Sequence, residues 1–434
     1  MAAGPVRVSS GALCATPPPG GRGCALQGRS GDQRSPHLHH HGGHGGERRG
    51  VGGRHALHAG QQDAPAVPQG FTDVLHHRRR RRRQTDGQPI RGLHSQTQLL
   101  LPENLALEDW IDAHVDLQQR SVLLLWRNRP TVVIGRHQNP WAECNLPAMR
   151  SAQVPVARRR SGGGTVYHDL GNLNLTFFAS KKAYDRRRNL KVVTDALRRV
   201  RPQLDIQATD RLDILLNGHY KISGTASRLS RKSSYHHCTL LHSADRSAIA
   251  VLLRPSCPGI RSNATPSIPS PVANLSDHAP SLQWEELLEA VVQQYSSEFG
   301  LTSSSQCVDP ADEALFPGVG SMEAELRSWE WTFGKTPKFS VETQLELRDE
   351  RPAARCSAQL QLEVKNGRVE SCRVEVPATW LPERLSASLA QALLGERFCP
   401  HRAAAALSAL LRCESGPLHS RLRNLCDVLV AAIG

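Results

Sequence analysis

The first 96 residues limit what this chain can build, because they offer nothing to bury. Gly, Pro, His and Arg dominate them, and no apolar repeat of period 2 or 3.6 persists. They are expected to form a disordered basic tail, so any packed core must come from residues 97–434. The tail also carries most of the charge imbalance. Of the formal +14, it holds 14 arginines, no lysine and five acidic residues, against 40 basic and 35 acidic groups in the rest. A nucleic-acid partner would rest on this tail, above all on Arg78 to Arg83, and none is expected of the mildly basic remainder. The run His37 to His44 reads as a solvated tract or a metal-binding one. No acidic residue precedes Asp32, and Arg, Ser and Ala are frequent there, as in organelle transit peptides, although its Pro and Gly oppose an amphipathic helix.

The 11 cysteines include no CxxC pair, which argues against zinc ribbons and thioredoxin-like redox sites and for free thiols in a reducing compartment. No run approaches the roughly 18 apolar residues of a membrane span, and no charged start followed by an apolar stretch marks secretion.

Order begins near Leu99. Leu107, Trp110, Ile111 and Val115 fall on one face of a helix. Two apolar runs around Asn128-Arg129-Pro130 read as two strands and a turn. Leu173, Leu175 and Phe177 alternate with Asn174 and Thr176, as in a half-buried strand. Leu190, Val193, Leu197 and Val200 are spaced for a helix, and "WEELLEAVVQQYSSEFG" is a helix ending at Gly300. "RLDILLNGHYKISG" is the clearest hairpin, with Asn217-Gly218 suited to a type I′ turn. Beyond Thr343, alternating strands, a "KNGR" turn and two helical stretches suggest a small α+β unit. The predicted organisation is a tail at 1–96, a large mixed α/β domain at 97–335, a linker at 336–341 and a small domain at 342–434.

Three clusters bear on chemistry. In "RRRSGGGTVYHD", Gly162, Gly163 and Gly164 allow positive φ and close ligand approach, and consecutive N–H groups can form an anion-binding concavity. Neither GxxxxGK[ST] nor a helix-opening GxGxxG is present. The alternative is a plain hairpin connection. Arg158, Arg159 and Arg160 lie on a predicted strand, whose alternation denies all three one ligand. Second, a two-residue Asn217-Gly218 loop would pair Leu216 with His219 and Ile214 with Lys221. That would set Lys221 on the face of Leu212, Ile214 and Leu216. Such a lysine is a snorkelling surface residue, a fixed positive charge for a developing oxyanion or phosphate, or a nucleophile. Third, His236 and His237 are adjacent on a predicted strand, point opposite ways, and are expected to pack rather than share a metal. Cys257 is the one thiol considered as a nucleophile.

"ARRRSGGGTVYHDLGNLNLTF", "GHYKISGTASR", "YHHCTLL", "GIRSNAT" and "WEWTFGKTPKFS" occur in this order. Together they resemble the lipoate–protein ligase A family, most closely its mitochondrial lipoyltransferase branch. The resemblance covers roughly Glu103 to the C-terminus. It implies an α/β (α+β) fold with a mixed-sheet large domain of the lipoyl/biotin-ligase type and a small α+β C-terminal domain. It further implies transfer of a lipoyl group to one lysine of a lipoyl domain, in the mitochondrial matrix. By motif, Lys221 matches the lysine that contacts the activated acyl group. Gly162, Gly163 and Gly164 match the loop over the lipoyl and phosphate region, and Tyr167, Arg211, Thr239 and Thr265 fall where ligand contacts are expected. The donor implied is lipoyl-AMP or the lipoylated glycine-cleavage H protein. The acceptors implied are E2 subunits of the pyruvate, 2-oxoglutarate and branched-chain 2-oxoacid dehydrogenases. No metal, no tightly bound cofactor and no membrane partner are expected, and the chain is expected to be a monomer. Two other readings remain: an octanoyltransferase working through a Cys257 thioester, and a non-enzymatic binder of nucleic acid through the basic tail.

Overall fold

The structure, a computed structural model, describes residues 101–301, 306–348 and 356–433, which fall in one compact unit. The expectations placed on residues 1–96, including the transit peptide and the His and Arg tracts, lie outside the described residues.

The chain opens with helix α1 (Leu101–His114), which buries Leu101, Leu105, Leu107, Trp110 and Ile111 as its spacing requires. Strands β1 (Val122–Trp126) and β2 (Thr131–Ile134) follow where the apolar runs placed them. They are not a hairpin, however. Asn128, between them, is fully buried, and each strand enters a different sheet. Two short helices, α2 (Pro140–Glu143) and α3 (Leu146–Ser151), each carry Pro in the first turn after an Asn cap, a standard pairing of fixed φ with a side-chain acceptor. Next come β3 (Val156–Arg158), β4 (Val166–His168) and β5 (Asn172–Ser180). Helix α4 (Arg186–Val200) is capped by Asp185. Strands β6 (Ile206–Ala208), β7 (Ile214–Leu216), β8 (Tyr220–Ser223), β9 (Thr225–Leu229) and β10 (Ser233–Leu241) complete the strand-rich part. Then come α5 (Arg246–Leu252), β11 (Ile260–Ser262), α6 (Leu275–His278) and α7 (Trp284–Phe299), the last ending at Gly300 with φ 63°. Helices α8 (Val319–Arg327) and α9 (Trp329–Thr332) lead to β12 (Phe339–Leu347), β13 (Cys356–Lys365), β14 (Arg368–Glu375), α10 (Glu383–Leu393), α11 (Pro400–Cys413) and α12 (Pro417–Ala432).

The antiparallel order β1-β5-β10-β9 forms the central sheet. Its strand β5 was expected to be half-buried and is instead buried on both faces. Leu173, Leu175 and Phe177 pack with α4 and α7, while Asn174 and Thr176 are buried on the opposite face and hydrogen-bonded there. In the order β3-β2-β4, β3 runs parallel and β4 antiparallel to β2. The segment from Arg159 to Thr165 must therefore cross the end of β2, which excludes the plain hairpin connection. The third sheet, β6-β7-β8, contains the expected hairpin, with Asn217 and Gly218 both at positive φ. Its loop has three residues, not two. Leu216 pairs with Tyr220, Leu215 with Lys221 and Ile214 with Ser223 across a bulge. The slip moves Lys221 to the face of Leu215 and away from the buried Ile214 and Leu216.

The fourth sheet, β11-β12-β13-β14, is antiparallel and draws its edge strand β11 from the earlier part of the chain. Residues 336–341, expected as a linker, include the start of β12, with Phe339 and Val341 buried in a core shared with Val132, Ile134, Trp141 and Tyr167. Trp141 has its ring centroid 5.3 Å from those of Phe333, Phe339 and Phe398, so apolar packing runs continuously from β2 into the C-terminal sheet. No described helix is long and apolar enough to cross a membrane.

Candidate active site

The three arginines of "RRRSGGG" diverge, but not by strand alternation: only Arg158 lies on β3, Arg159 and Arg160 belong to the crossing segment, and each has a separate structural task. Arg158 is fully buried. It donates to the carbonyls of Gly135, Arg136, Gln138 and Thr332 and to Thr336 Oγ1. Arg160 pairs with Asp109 and Glu325, both at 2.6 Å, and lies 4.1 Å over the Trp331 ring. Asp109 is itself pushed up to about 6 by burial, which the Arg160 contact opposes. Arg159 shapes the glycine loop: it donates to Ser161 Oγ, Val133 O, Gly162 O at 2.6 Å and Gly164 O at 2.7 Å. Burial lowers its pKa to about 10, which leaves it charged at neutral pH.

The loop is also held from β2. A Cβ on Gly135 would stand 2.1 Å from Gly163 O, a contact only glycine permits, and Gly163 has φ +85°. Gly135→Ala should therefore push the loop off its seat. The expected result is a fall in kcat/KM of about tenfold or more in a protein that still folds. A steady-state transfer assay beside a thermal melt checks this.

Lys221 stands on β8 with Nζ 2.9 Å from Asp213 Oδ1, both side chains about a quarter exposed or less. Its backbone N–H donates to Pro271 O and its carbonyl accepts from Ala273 N. Gly224 clears space for the ammonium, since a Cβ there would lie 3.1 Å from Lys221 Cε and 3.3 Å from Nζ. Opposite, Thr239 Oγ1 accepts from Gly224 N at 3.1 Å.

A strap over the site, Thr265 to Val272, is fastened by Glu143. Its carboxylate accepts from Ser267 N and Ser267 Oγ and lies 3.2 Å from Thr165 Oγ1. Gln138 Nε2 donates to Thr265 O and Ser267 Oγ, and Thr165 N donates to Ser267 Oγ at 2.8 Å. Strap, glycine loop and the α2 region are thus one hydrogen-bonded wall.

Two adjoining cavities result. The larger, about 330 Å³, runs from the exposed Arg211 inward to the buried Leu105, Trp126, Val133 and His168. The smaller, about 270 Å³, is mostly apolar, with Tyr167, Leu241, Ile249, Leu253 and Val272 in its lining. Lys221, Gly224 and Thr239 border both. Of the residues singled out in the sequence, Lys221, Gly163, Gly164, Arg211, Thr239 and Thr265 line the larger cavity, and Tyr167 lines the smaller. Gly162 lines neither cavity.

The histidines behave as packing groups. His237 is bonded to Glu108 Oε1 at 2.9 Å and Ser161 Oγ at 2.8 Å, while His236 faces Asn189 on the other side. Among the described residues no cluster of three His, Cys, Asp or Glu is placed to hold a metal. Cys257 does not fit the role of nucleophile. It is buried in the C-terminal core with Sγ 3.4 Å from Ala432 O, lines neither cavity, and burial pushes its thiol up to about 12. Cys238 does line the larger cavity, yet burial likewise raises it to about 12, so neither supplies a thiolate. Asp213, Glu143, Gln138, Ser267 and His168 were not singled out in the sequence. They stand outside the quoted motifs or beside more conspicuous neighbours, and only the strand register and the strap bring them together.

The Lys221 ammonium, held by Asp213, thus stands between a slot that reaches the buried Trp126 and a mostly apolar recess, the arrangement of a ligand-binding cleft with a charged junction. The family model of the lipoyl protein ligase A/B catalytic domain matches residues 101–296. The mitochondrial lipoyl amidotransferase of Homo sapiens is 48% identical over 327 residues, covering 75% of this chain and 87% of the relative, and that of Mus musculus matches to the same extent. Lipoate-protein ligase A of Bdellovibrio bacteriovorus is 37% identical over 240 residues, covering 55% of this chain and 70% of the relative. The chain belongs to this lipoyl protein ligase and lipoyltransferase family, as a mitochondrial lipoyltransferase enzyme.

Proposed function

We propose that this enzyme moves a lipoyl group onto the ε-amine of one lysine in the lipoyl domains of 2-oxoacid dehydrogenase E2 subunits, taking it from lipoyl-AMP or from the lipoylated glycine-cleavage H protein. The observation that carries this reading is the position of Lys221, whose ammonium borders both cavities beside Thr239 and Gly224. The extended acyl chain enters the deep slot toward Trp126, and the planar adenine takes the apolar recess beside Tyr167. The acyl carbonyl and phosphate then meet at the neck. Attack by the neutral acceptor amine forms the amide C–N bond and breaks the C–O bond to AMP, or the C–N bond to the H-protein lysine; the proton the attacking nitrogen sheds goes to solvent as AMP departs, or to the departing H-protein nitrogen. Negative charge gathers on the carbonyl oxygen meanwhile, and Lys221 with the amides of Gly163 and Gly164 stabilises it. Asp213 holds the Lys221 ammonium in place, and Arg211 at the rim meets phosphate.

The test is an acyl-transfer assay of the full chain on an isolated apo lipoyl domain, comparing lipoyl-AMP, lipoate with ATP, and lipoyl-H protein. Transfer from the first or third is expected. Absence of transfer from all three removes the proposal. The thioester alternative has its own check: Cys257→Ser should transfer normally, and intact mass after incubation with donor should show no adduct that depends on Cys257.

A further inference from the structure

Four cations at one end of the central sheet have no anion to meet. Strand β5 ends at Ser180, which pairs with Ser233 at the start of β10. Lys181 N donates to Lys232 O at 3.0 Å, which brings Lys181 and Lys182 beside Arg231 and Lys232. All four are exposed, and none forms an ion pair among the described residues. Leu229, two residues before Arg231, is 51% exposed.

The positive band continues to the cleft. Arg186 Nη2 donates at 3.0 Å to Thr225 Oγ1, and Thr225 lines the larger cavity. Arg187 pairs with Asp210, and the adjacent Arg211 is the exposed member of the cavity lining. From Thr225, β9 runs as the edge of the central sheet to Leu229. Four residue steps of strand span about 13 Å. A typical protein contact of about 800 Å² per partner is roughly 30 Å across. A domain that presents a lysine to the cleft therefore reaches the band as well.

Nearby carboxylates are few and already engaged. Asp185 caps α4, and Asp210 holds Arg187. Asp116 accepts from Gln118 N, whose side chain in turn donates to Lys232 O. Of the 40 basic and 35 acidic groups after residue 96, the band takes seven and three, and the remaining 33 and 32 nearly cancel. The positive excess of residues 97–434 is thus gathered beside the cleft. Charge also decides what can cover it. The first 96 residues, with 14 arginines against five acids, are repelled, and so is a second copy of a chain that carries +14.

We propose that this band, with Leu229 as its apolar contact, is the docking surface for the acceptor domain, and that the acceptor meets it with an acidic face. The inference rests on the lipoyl-transfer reading above. Complementary charge of this kind steers encounter and sets register, so its effect belongs to the acceptor's KM and not to the chemistry in the cleft.

The experiment measures steady-state transfer from lipoyl-AMP to an isolated apo lipoyl domain with the full chain, varying each substrate in turn and repeating the series as KCl is raised. Changing Lys181, Lys182, Arg231 and Lys232 together to Glu should raise the KM for the lipoyl domain about tenfold or more. The kcat and the KM for lipoyl-AMP should stay within about twofold. Added salt should raise the acceptor KM of the wild type and have little effect on that of the variant. The same four positions changed to Gln should give a smaller rise in the same direction, which keeps the test if the Glu variant fails to fold. An unchanged acceptor KM in a folded variant, or a loss that falls on kcat or on the KM for lipoyl-AMP, overturns the docking surface and leaves the lipoyl reading intact. Loss of salt-sensitive nucleic-acid binding at unchanged acceptor KM would assign the band to nucleic acid and overturn it as well. A wild-type chain that transfers nothing overturns the reading and this inference with it.

Discussion

Lys221→Ala should lower transfer from lipoyl-AMP by about 10²–10³-fold, the usual cost of removing one well-placed stabiliser of a developing oxyanion. The loss should fall on kcat, because the charge that Lys221 meets is largest in the transition state. The fold should survive. The backbone bonds of Lys221 to Pro271 and Ala273 do not depend on its side chain, and the Asp213 carboxylate it abandons remains partly exposed. Asp213→Asn should give a smaller loss in the same direction, since it loosens the ammonium without removing it. Circular dichroism and single-turnover transfer are the measurements. A folded Lys221→Ala enzyme with near-normal turnover would remove the lysine from the mechanism.

Arg158→Met should be the most destabilising single change in the "RRRSGGG" segment. The guanidinium is fully buried and satisfies four carbonyls and a threonine hydroxyl drawn from Gly135 to Gln138 and from Thr332 to Thr336. Removing it strands those acceptors in a site with no room for bulk water. Breaking a buried charged network this way costs about 3–5 kcal/mol. A urea titration should show a markedly lower midpoint, or the variant should accumulate as insoluble protein. An unchanged midpoint would mean that water takes the place of the guanidinium. The contrast with Arg160 is instructive: its ion pairs reach a more exposed Glu325, and Arg160→Met should cost less.

Much of the scaffold could be read from local pattern. Helix α1, helix α4, helix α7 with its glycine stop and the Asn217-Gly218 turn all follow from periodicity and backbone preference, which act over a few residues. The register at Lys221 could not be read this way. No residue type marks the three-residue loop or the bulge after Ile214, and the strap that bonds to the Lys221 backbone lies about fifty residues downstream. β5 failed for a related reason. Its polar residues alternate as in a solvent-facing strand, but Thr176 and Asn174 meet Glu108 and Trp126 from elements about fifty or more residues earlier. At the site, glycines, Lys221 and Thr239 announced themselves through motif and turn chemistry. His168 was not singled out beside Tyr167, because its bond to Asn128 depends on the burial of a residue that reads as part of a turn.

Strand β11 lies immediately before the strap, and its hydrogen-bonding partner β12 is supplied by the C-terminal part of the chain. The strap is therefore moored at one end to residues encoded roughly eighty positions downstream and at the other, through Pro271 and Ala273, to Lys221. In genetic terms, a stop codon near residue 335 would leave every cleft-lining residue translated, yet one wall would have lost its mooring. Late nonsense and frameshift alleles should thus behave as loss-of-function alleles, and the chain should tolerate truncation from that end poorly.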